Sequence, residues 1–187
     1  MRVIAGTARG LALRAPKGFT VRPTGDRVRQ ATFNALESRG AVRDARVLDL
    51  FAGTGALGIE ALSRGAAHAT FVDSDRAAVD AINANLVATG FGERSRSTVT
   101  RADAARWLAP PATATTIFDL VLADPPYRFE GWVDLLAGIA AHLADDGTVV
   151  IETGSVPDLG PAWEILRQQR YGGTVITVLQ PLTASSM

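Results

Sequence analysis

Residues 48–60 read Leu48-Asp49-Leu50-Phe51-Ala52-Gly53-Thr54-Gly55-Ala56-Leu57-Gly58-Ile59-Glu60. The run Arg46–Leu50 suits a buried parallel strand, Gly53-x-Gly55-x-x-Gly58 a tight turn, and the residues after Gly55 a helix. Asp73 stands twenty residues beyond Gly53, at the end of a second strand, Thr70–Val72. In such a unit the glycines let the backbone approach a nucleotide, and the acid holds ribose hydroxyls. Taken alone, the pattern fits an NAD-type cofactor, an S-adenosylmethionine-type cofactor or plain turn glycines. Asp49 and Phe51 favour the second. A dinucleotide loop runs from an apolar strand straight into its first glycine, whereas here a carboxylate lies four residues before Gly53. It can accept from an ammonium group, which the methionine part of S-adenosylmethionine carries and NAD lacks. The competing role for Asp49 is a satisfied buried acid at a strand end. This reading assigns the cofactor to Asp49, Phe51, Ala52, Gly53, Thr54, Gly55, Asp73 and Ser74.

Further along, the apolar run Ile117–Ala123 ends in Asp124-Pro125-Pro126-Tyr127. Ligands bind at the carboxyl edge of open parallel sheets. Two prolines there fix φ and remove two backbone donors, so the Asp124 carboxylate and Pro125 carbonyl are expected to be presented at the sheet edge as acceptors. Two acceptors can grip the two hydrogens of an exocyclic amine and turn its lone pair toward an incoming methyl group. Tyr127 offers a flat face to a base taken out of its stack. Asp124, Pro125, Pro126 and Tyr127 are the expected catalytic residues; the alternative is a Pro-Pro turn with an aromatic plug.

With both motifs in hand, the chain resembles the bacterial small-subunit (16S) ribosomal RNA guanine-N2 methyltransferases, RsmD-like, within the class I S-adenosylmethionine-dependent methyltransferases. The resemblance covers nearly the whole chain. It rests on Arg2-Val3-Ile4-Ala5-Gly6-Thr7-Ala8-Arg9-Gly10, on Arg22-Pro23-Thr24-Gly25-Asp26-Arg27-Val28-Arg29-Gln30-Ala31-Thr32-Phe33-Asn34-Ala35-Leu36, on the two motifs above and on Tyr171-Gly172. The Arg-Pro-Thr block is its most specific part. Gly25 stands where the family usually has Thr, and Asp73 where Glu is common; neither removes a needed function. The resemblance implies a methyl transfer to guanine N2 of 16S ribosomal RNA. The choice of guanine over adenine or cytosine comes from it alone. Two other readings use the same residues: a DNA amino-methyltransferase, which usually carries a separate target-recognition domain, and a non-catalytic RNA-binding module with a relic cofactor fold.

Charge supports a polyanionic partner. Residues 1–46 carry ten basic side chains against three acids, a net of +7, while the remainder carries nine against sixteen, a net of −7. A basic segment on an acidic body is a footprint of nucleic-acid binding. Arg2, Arg9, Arg14, Lys17, Arg22, Arg27 and Arg29 are the expected RNA contacts; a solvated charged extension is the bland alternative. The chain has no cysteine and its two histidines, His68 and His142, are isolated, so no metal site is expected. Neither a signal-like segment nor an apolar run of membrane length occurs. A cytoplasmic monomer follows as the expectation, with ribosomal RNA in a partly assembled small subunit as partner.

The expected architecture is α/β: a Rossmann-like class I methyltransferase with a doubly wound, mostly parallel seven-stranded sheet and an antiparallel last strand, preceded by a small N-terminal β-hairpin and helix. The basic extension is placed at 1–40 and the methyltransferase domain at 41–187. Arg2–Ala5 and Leu11–Ala15 read as the hairpin, and a helix capped by Thr24 or Asp26 runs through about Ser38. Strands are expected near 46–50, 69–73, 97–100, 117–123 and 147–152, with helices near 56–64, 75–89, 103–108, 131–143 and 159–168. Arg170–Gly172 and Thr174–Gln180 read as a closing antiparallel pair. Asp103, with Ala104, either accepts from the adenine amino group or caps the helix through Trp107; Thr24 can hold the methionine carboxylate. Trp107, Trp132 and Trp163 read as core.

Overall fold

The computed structural model describes residues 1–15, 25–109, 116–126 and 129–182. After an N-terminal arm come α1 (Gly25–Glu37), β1 (Arg46–Leu50), α2 (Ala56–Ser63), β2 (His68–Asp73), α3 (Arg76–Thr89) and β3 (Ser97–Arg101). They are followed by α4 (Ala104–Leu108), β4 (Phe118–Ala123), α5 (Trp132–Ala140), β5 (Leu143–Thr153), β6 (Trp163–Tyr171) and β7 (Thr174–Pro181). The strands form one sheet in the order β3-β2-β1-β4-β5-β7-β6. Pairings through β5 are parallel, and β7 runs antiparallel between β5 and β6.

Successive side chains of a strand face opposite sides of the sheet, and the central strands use both. Val47, Leu120 and Leu122 join the core under α1, α2 and α3, with Phe33, Leu36, Ile59 and Ile82. Leu48, Leu50 and Val121 join the core under α4 and α5, with Leu108, Leu136 and Ile139. Burial on both faces explains why these strands read as continuous apolar runs. The order reverses between β1 and β4, and a crevice opens there at the carboxyl ends of the strands. The first two motifs meet at that point.

Three expectations need correction. Residues 159–168 form no helix: Trp163–Tyr171 is an edge strand in which only Trp163 is buried. Its Glu, Leu, Arg and Gln residues favour a helix intrinsically, but a ladder with β7 from Trp163↔Pro181 to Tyr171↔Thr174 overrides that preference. The N-terminal hairpin is shorter than expected: Arg2↔Ala12 is its antiparallel bridge, flanked by the Val3 amide donating to the Leu11 carbonyl at 3.0 Å and the Leu13 amide to the Met1 carbonyl at 3.1 Å. And β5, expected near 147–152, extends over eleven residues.

The arm is fastened by buried polar groups. Glu60, wholly buried in α2, accepts from the Ile4 and Ala5 amides at 2.8 and 3.1 Å. The Ser63 hydroxyl accepts from the Ala8 amide at 3.0 Å and donates to the Ala5 carbonyl. Asn85, wholly buried in α3, accepts from the Arg14 amide at 2.8 Å and donates to the Arg14 and Thr54 carbonyls at 3.0 and 2.9 Å. Val3, Ala8 and Leu13 complete the attachment by entering the core.

Candidate active site

The loop after β1 is built from left-handed residues: Phe51 at φ 56°, Gly53 at 56° and Gly55 at 75°. The two glycines take this conformation without strain. Phe51 does not, and a non-glycine residue held there marks a site the surroundings enforce. Asp73, at the end of β2, holds the turn: Oδ2 accepts from the Gly53 amide at 2.8 Å and Oδ1 from the Asp75 amide at 2.9 Å. Gly58 allows α2 to press onto the sheet. A Cβ at Gly58 would sit 2.3 Å from a ring atom of Phe71 and 3.1 Å from Asp49 Oδ2. In the absence of a Cβ the Gly58 amide donates to Asp49 Oδ2 at 2.9 Å.

Asp49 is a satisfied buried acid at a strand end that also stands in the crevice. It is 1% exposed, bonded to α2, and part of the wall of the crevice. Burial, and then the neighbouring negative charges of Asp124 and Asp73, hold its carboxyl well above the usual carboxylate range against the opposing pull of the Gly58 amide. An acid in that state gains by meeting a cation.

The crevice holds a cavity of about 480 Å³, within the range of small-molecule sites. Of the expected cofactor residues, Asp49, Phe51, Ala52, Gly53, Thr54, Asp73 and Ser74 line it, and so do Asp124, Pro125 and Pro126. Gly55 lies behind it as the residue preceding α2. Asp103 does not line it: its carboxylate caps α4 by accepting from the Arg106 amide at 3.0 Å, and Ala104 is buried in that helix. Thr24 and Tyr127 lie outside the described residues. A second cavity, of about 210 Å³, adjoins the first and shares Asp124, Pro125, Pro126 and Glu152 with it. Phe129 and Trp132 line this one. Phe129 packs edge-on against Phe51 with centroids 5.5 Å apart, and against Trp132 at 5.2 Å.

The expected RNA contacts divide. Arg9, Arg14 and Arg27 are exposed, and Arg2 is exposed while standing 3.6 Å from Asp26. Lys17 and Arg22 lie outside the described residues. Arg29 is a correction: it is 5% exposed, donates to Asp26 Oδ1 at 3.0 Å, and stands 3.6 Å from buried Glu60. Its position on α1 alternates with exposed Arg27, and the charge pattern alone does not separate the two. Sequence reasoning missed Glu152, at the carboxyl end of β5, and Thr32, which lines the large cavity. Thr32 shares a buried face of α1 with Val28 and Leu36, so its spacing in the sequence is that of a packing residue. Among the described residues no group of side chains could hold a metal ion.

The fold and crevice define a class I methyltransferase architecture. The family described as "Conserved hypothetical protein 95" matches residues 1–180. Similar proteins are YlbH of Bacillus subtilis, 38% identical over 95% of this chain and 97% of the relative, and "Ribosomal RNA small subunit methyltransferase D" of Escherichia coli, 36% identical over 96% and 89%. The solved structure of yhhF from Escherichia coli superposes with a TM-score of 0.83 at 33% identity, covering 97% of each chain. The chain belongs to this family, that of the small-subunit ribosomal RNA methyltransferase D proteins. S-adenosylmethionine is the cofactor the family implies, and the residues fit it: a glycine turn for the nucleoside, acids for its cationic end, and room between them.

Proposed function

We propose that this protein transfers a methyl group from S-adenosylmethionine to the exocyclic N2 of a guanine in 16S ribosomal RNA. One observation carries the reading: the Asp124-Pro125-Pro126 turn is the common wall of a cofactor-sized cavity and a smaller one lined by aromatic side chains. A group transfer needs donor and acceptor on two sides of one positioned set of residues. The names of the relatives support ribosomal RNA as substrate; guanine N2 rests on the family resemblance.

Held by Asp49, the Gly53–Gly55 turn and Asp73, the cofactor would supply a methyl group on a sulfonium leaving group, open to in-line displacement. The chain supplies position and charge. Asp124 and the Pro125 carbonyl accept the amine hydrogens, which directs the nitrogen lone pair along the line to the methyl carbon. As the N–C bond forms, the amine becomes acidic, and Asp124 or water takes its proton; no stronger base is required. Phe129 and Trp132 give the extruded base an aromatic wall, and Phe51 braces Phe129 from the cofactor side.

The deciding experiment incubates the protein with methyl-labelled cofactor and with ribosomal RNA, small-subunit particles or DNA, then identifies the modified nucleoside. N2-methylguanosine from the ribosomal substrates is the expected product. Methylated adenine or cytosine in DNA would establish the amino-methyltransferase of the other kind, and no transfer to any substrate would leave the RNA-binding module.

A further inference from the structure

The smaller cavity, walled by Phe129 and Trp132, is lined by side chains that accept hydrogen bonds. Ala123 on β4 pairs with Ile151 on β5, so Asp124 and Glu152 take the next rung on two adjacent parallel strands. Neighbouring strands lie about 4.8 Å apart, and side chains at one rung of a parallel pair leave the sheet on the same face. Both carboxylates are half-buried and line both cavities. Glu130 and Asp158 stand at the exposed mouth. No Lys, Arg, His, Asn or Gln is among the described lining residues of this cavity. Its hydroxyls add no inward donor, since Thr153 donates to the Val175 carbonyl at 3.4 Å and Ser155 is exposed. An ionised carboxylate only accepts. The inner polar side chains therefore suit a base edge made of hydrogens.

Bases with an exocyclic amine differ in what lies beside it. In guanine the neighbouring ring nitrogen, N1, carries a hydrogen, so N1 and N2 form a continuous row of donors. In adenine and cytosine the ring nitrogen beside the amine on the pairing edge carries a lone pair. We propose that Glu152 accepts from guanine N1–H while Asp124 and the Pro125 carbonyl hold the N2 amine, so that Glu152 sets the choice of base. With adenine or cytosine the same carboxylate would face a ring lone pair, and two acceptors repel. A polar group left opposed or unpaired discriminates between bases of similar shape far better than fit alone. This rests on the proposed methyl transfer to a base amine. It adds a residue of β5 to base selection, and it draws the preference for guanine from the cavity instead of from resemblance.

The test uses a base that keeps the amine and loses the N1 hydrogen. The methylated position is mapped in ribosomal RNA with labelled cofactor, and small-subunit particles are rebuilt with guanine or 2-aminopurine there. Wild-type kcat/KM should be lower for 2-aminopurine by about tenfold or more, the scale of one lost hydrogen bond to a charged group. The amide of Glu152→Gln can turn either its oxygen or its NH2 toward the base. This variant should lower kcat/KM for guanine by about tenfold, raise it for 2-aminopurine, and so bring their ratio toward one. Thermal unfolding and S-adenosylhomocysteine affinity are measured in parallel and should match the wild type, as a change of base preference alone requires. Equal wild-type rates on the two bases overturn the proposal whether or not the variant folds. Equal losses on both bases in a folded Glu152→Gln also overturn it, with or without weaker S-adenosylhomocysteine binding, because Glu152 would then serve the scaffold or the cofactor. Absence of methylated guanine with the wild type on every RNA would instead overturn the proposed function, and it shows before any analogue or substitution is made.

Discussion

Asp49 lies where the charge of a bound cofactor is felt most strongly. Burial raises its pKa first, with Asp124 and Asp73 adding to the effect. The folded protein therefore holds a proton that the unfolded chain releases near pH 3.9. Stability falls as pH rises through the interval between that value and the raised one, and the deficit persists above it. Asp49→Asn keeps an acceptor for the Gly58 amide, so urea unfolding should show it to be more stable than the wild type at pH 7 and without that slope. Cofactor binding runs the other way: a cationic ligand favours the ionised form, so affinity rises with pH through the raised pKa and protons are released. Titration in two buffers of different ionisation enthalpy should detect the release in the wild type and none in Asp49→Asn. At Asp124 the effect should fall on chemistry. Asp124→Ala should lower turnover by about a hundredfold or more, the scale of one lost transition-state partner, while S-adenosylhomocysteine still binds; near-normal turnover would reduce the turn to scaffolding. The motif residues were legible in the sequence because backbone chemistry singles them out. Thr32 was not, because its spacing on α1 is that of a packing residue.

Among the elements, the agreement follows burial. The strands expected near 46–50, 69–73, 97–100 and 117–123 lie at Arg46–Leu50, His68–Asp73, Ser97–Arg101 and Phe118–Ala123, and β1 and β4 carry the apolar runs that two covered faces require. The edge strand β6 has little buried surface to announce it, and its composition pointed to a helix. Nor did the sequence disclose how the arm is held, since Glu60 and Arg64 at i, i+4 look like an ordinary exposed helix pair. Both are in fact buried, with Arg64 reaching Glu60 at 2.8 Å and Glu37 at 2.7 Å. Glu60→Ala would strip the Ile4 and Ala5 amides of their acceptor and leave two arginines without a central counter-charge. Removing one partner of a buried ion pair costs about 3–5 kcal/mol, so the variant should unfold at markedly lower urea and its arm amides should lose protection from hydrogen exchange. A change confined to a few tenths of that cost would mean that the arm is held by Val3, Ala8 and Leu13 alone.

At the scale of the molecule, the +7 of the first 46 residues is spread over more than one surface. Arg29 is internal, and Arg39 and Arg43 line a hollow at the amino ends of the strands, away from the crevice. Arg9, Arg14 and Arg27 remain exposed on the arm and α1, the two elements that border the cofactor cavity through Met1, Val28 and Thr32. RNA binding should therefore weaken with salt, at a log–log slope of roughly −3 to −4 if about four phosphates are neutralised. Replacing Arg9, Arg14 and Arg27 with alanine should flatten that slope without changing S-adenosylhomocysteine affinity, because Asn85 holds Arg14 by its backbone alone. A salt-independent affinity, or a slope indifferent to the three substitutions, would mean that the charge is merely solvated. Phosphate contacts position a nucleic acid but do not read its sequence, and the exposed Arg9, Arg14 and Arg27 are suited to contacts of that kind. On the proposed guanine N2 activity, selection then comes from the shape in which the base is presented, and ribosomal RNA takes its final shape only with proteins bound. A partly assembled small subunit should accordingly be methylated at least about tenfold faster than the same RNA free in solution, a ratio corresponding to about 1.4 kcal/mol of selectivity. Equal rates on particle and free RNA, measured at saturating cofactor, would place the selectivity in the chain itself.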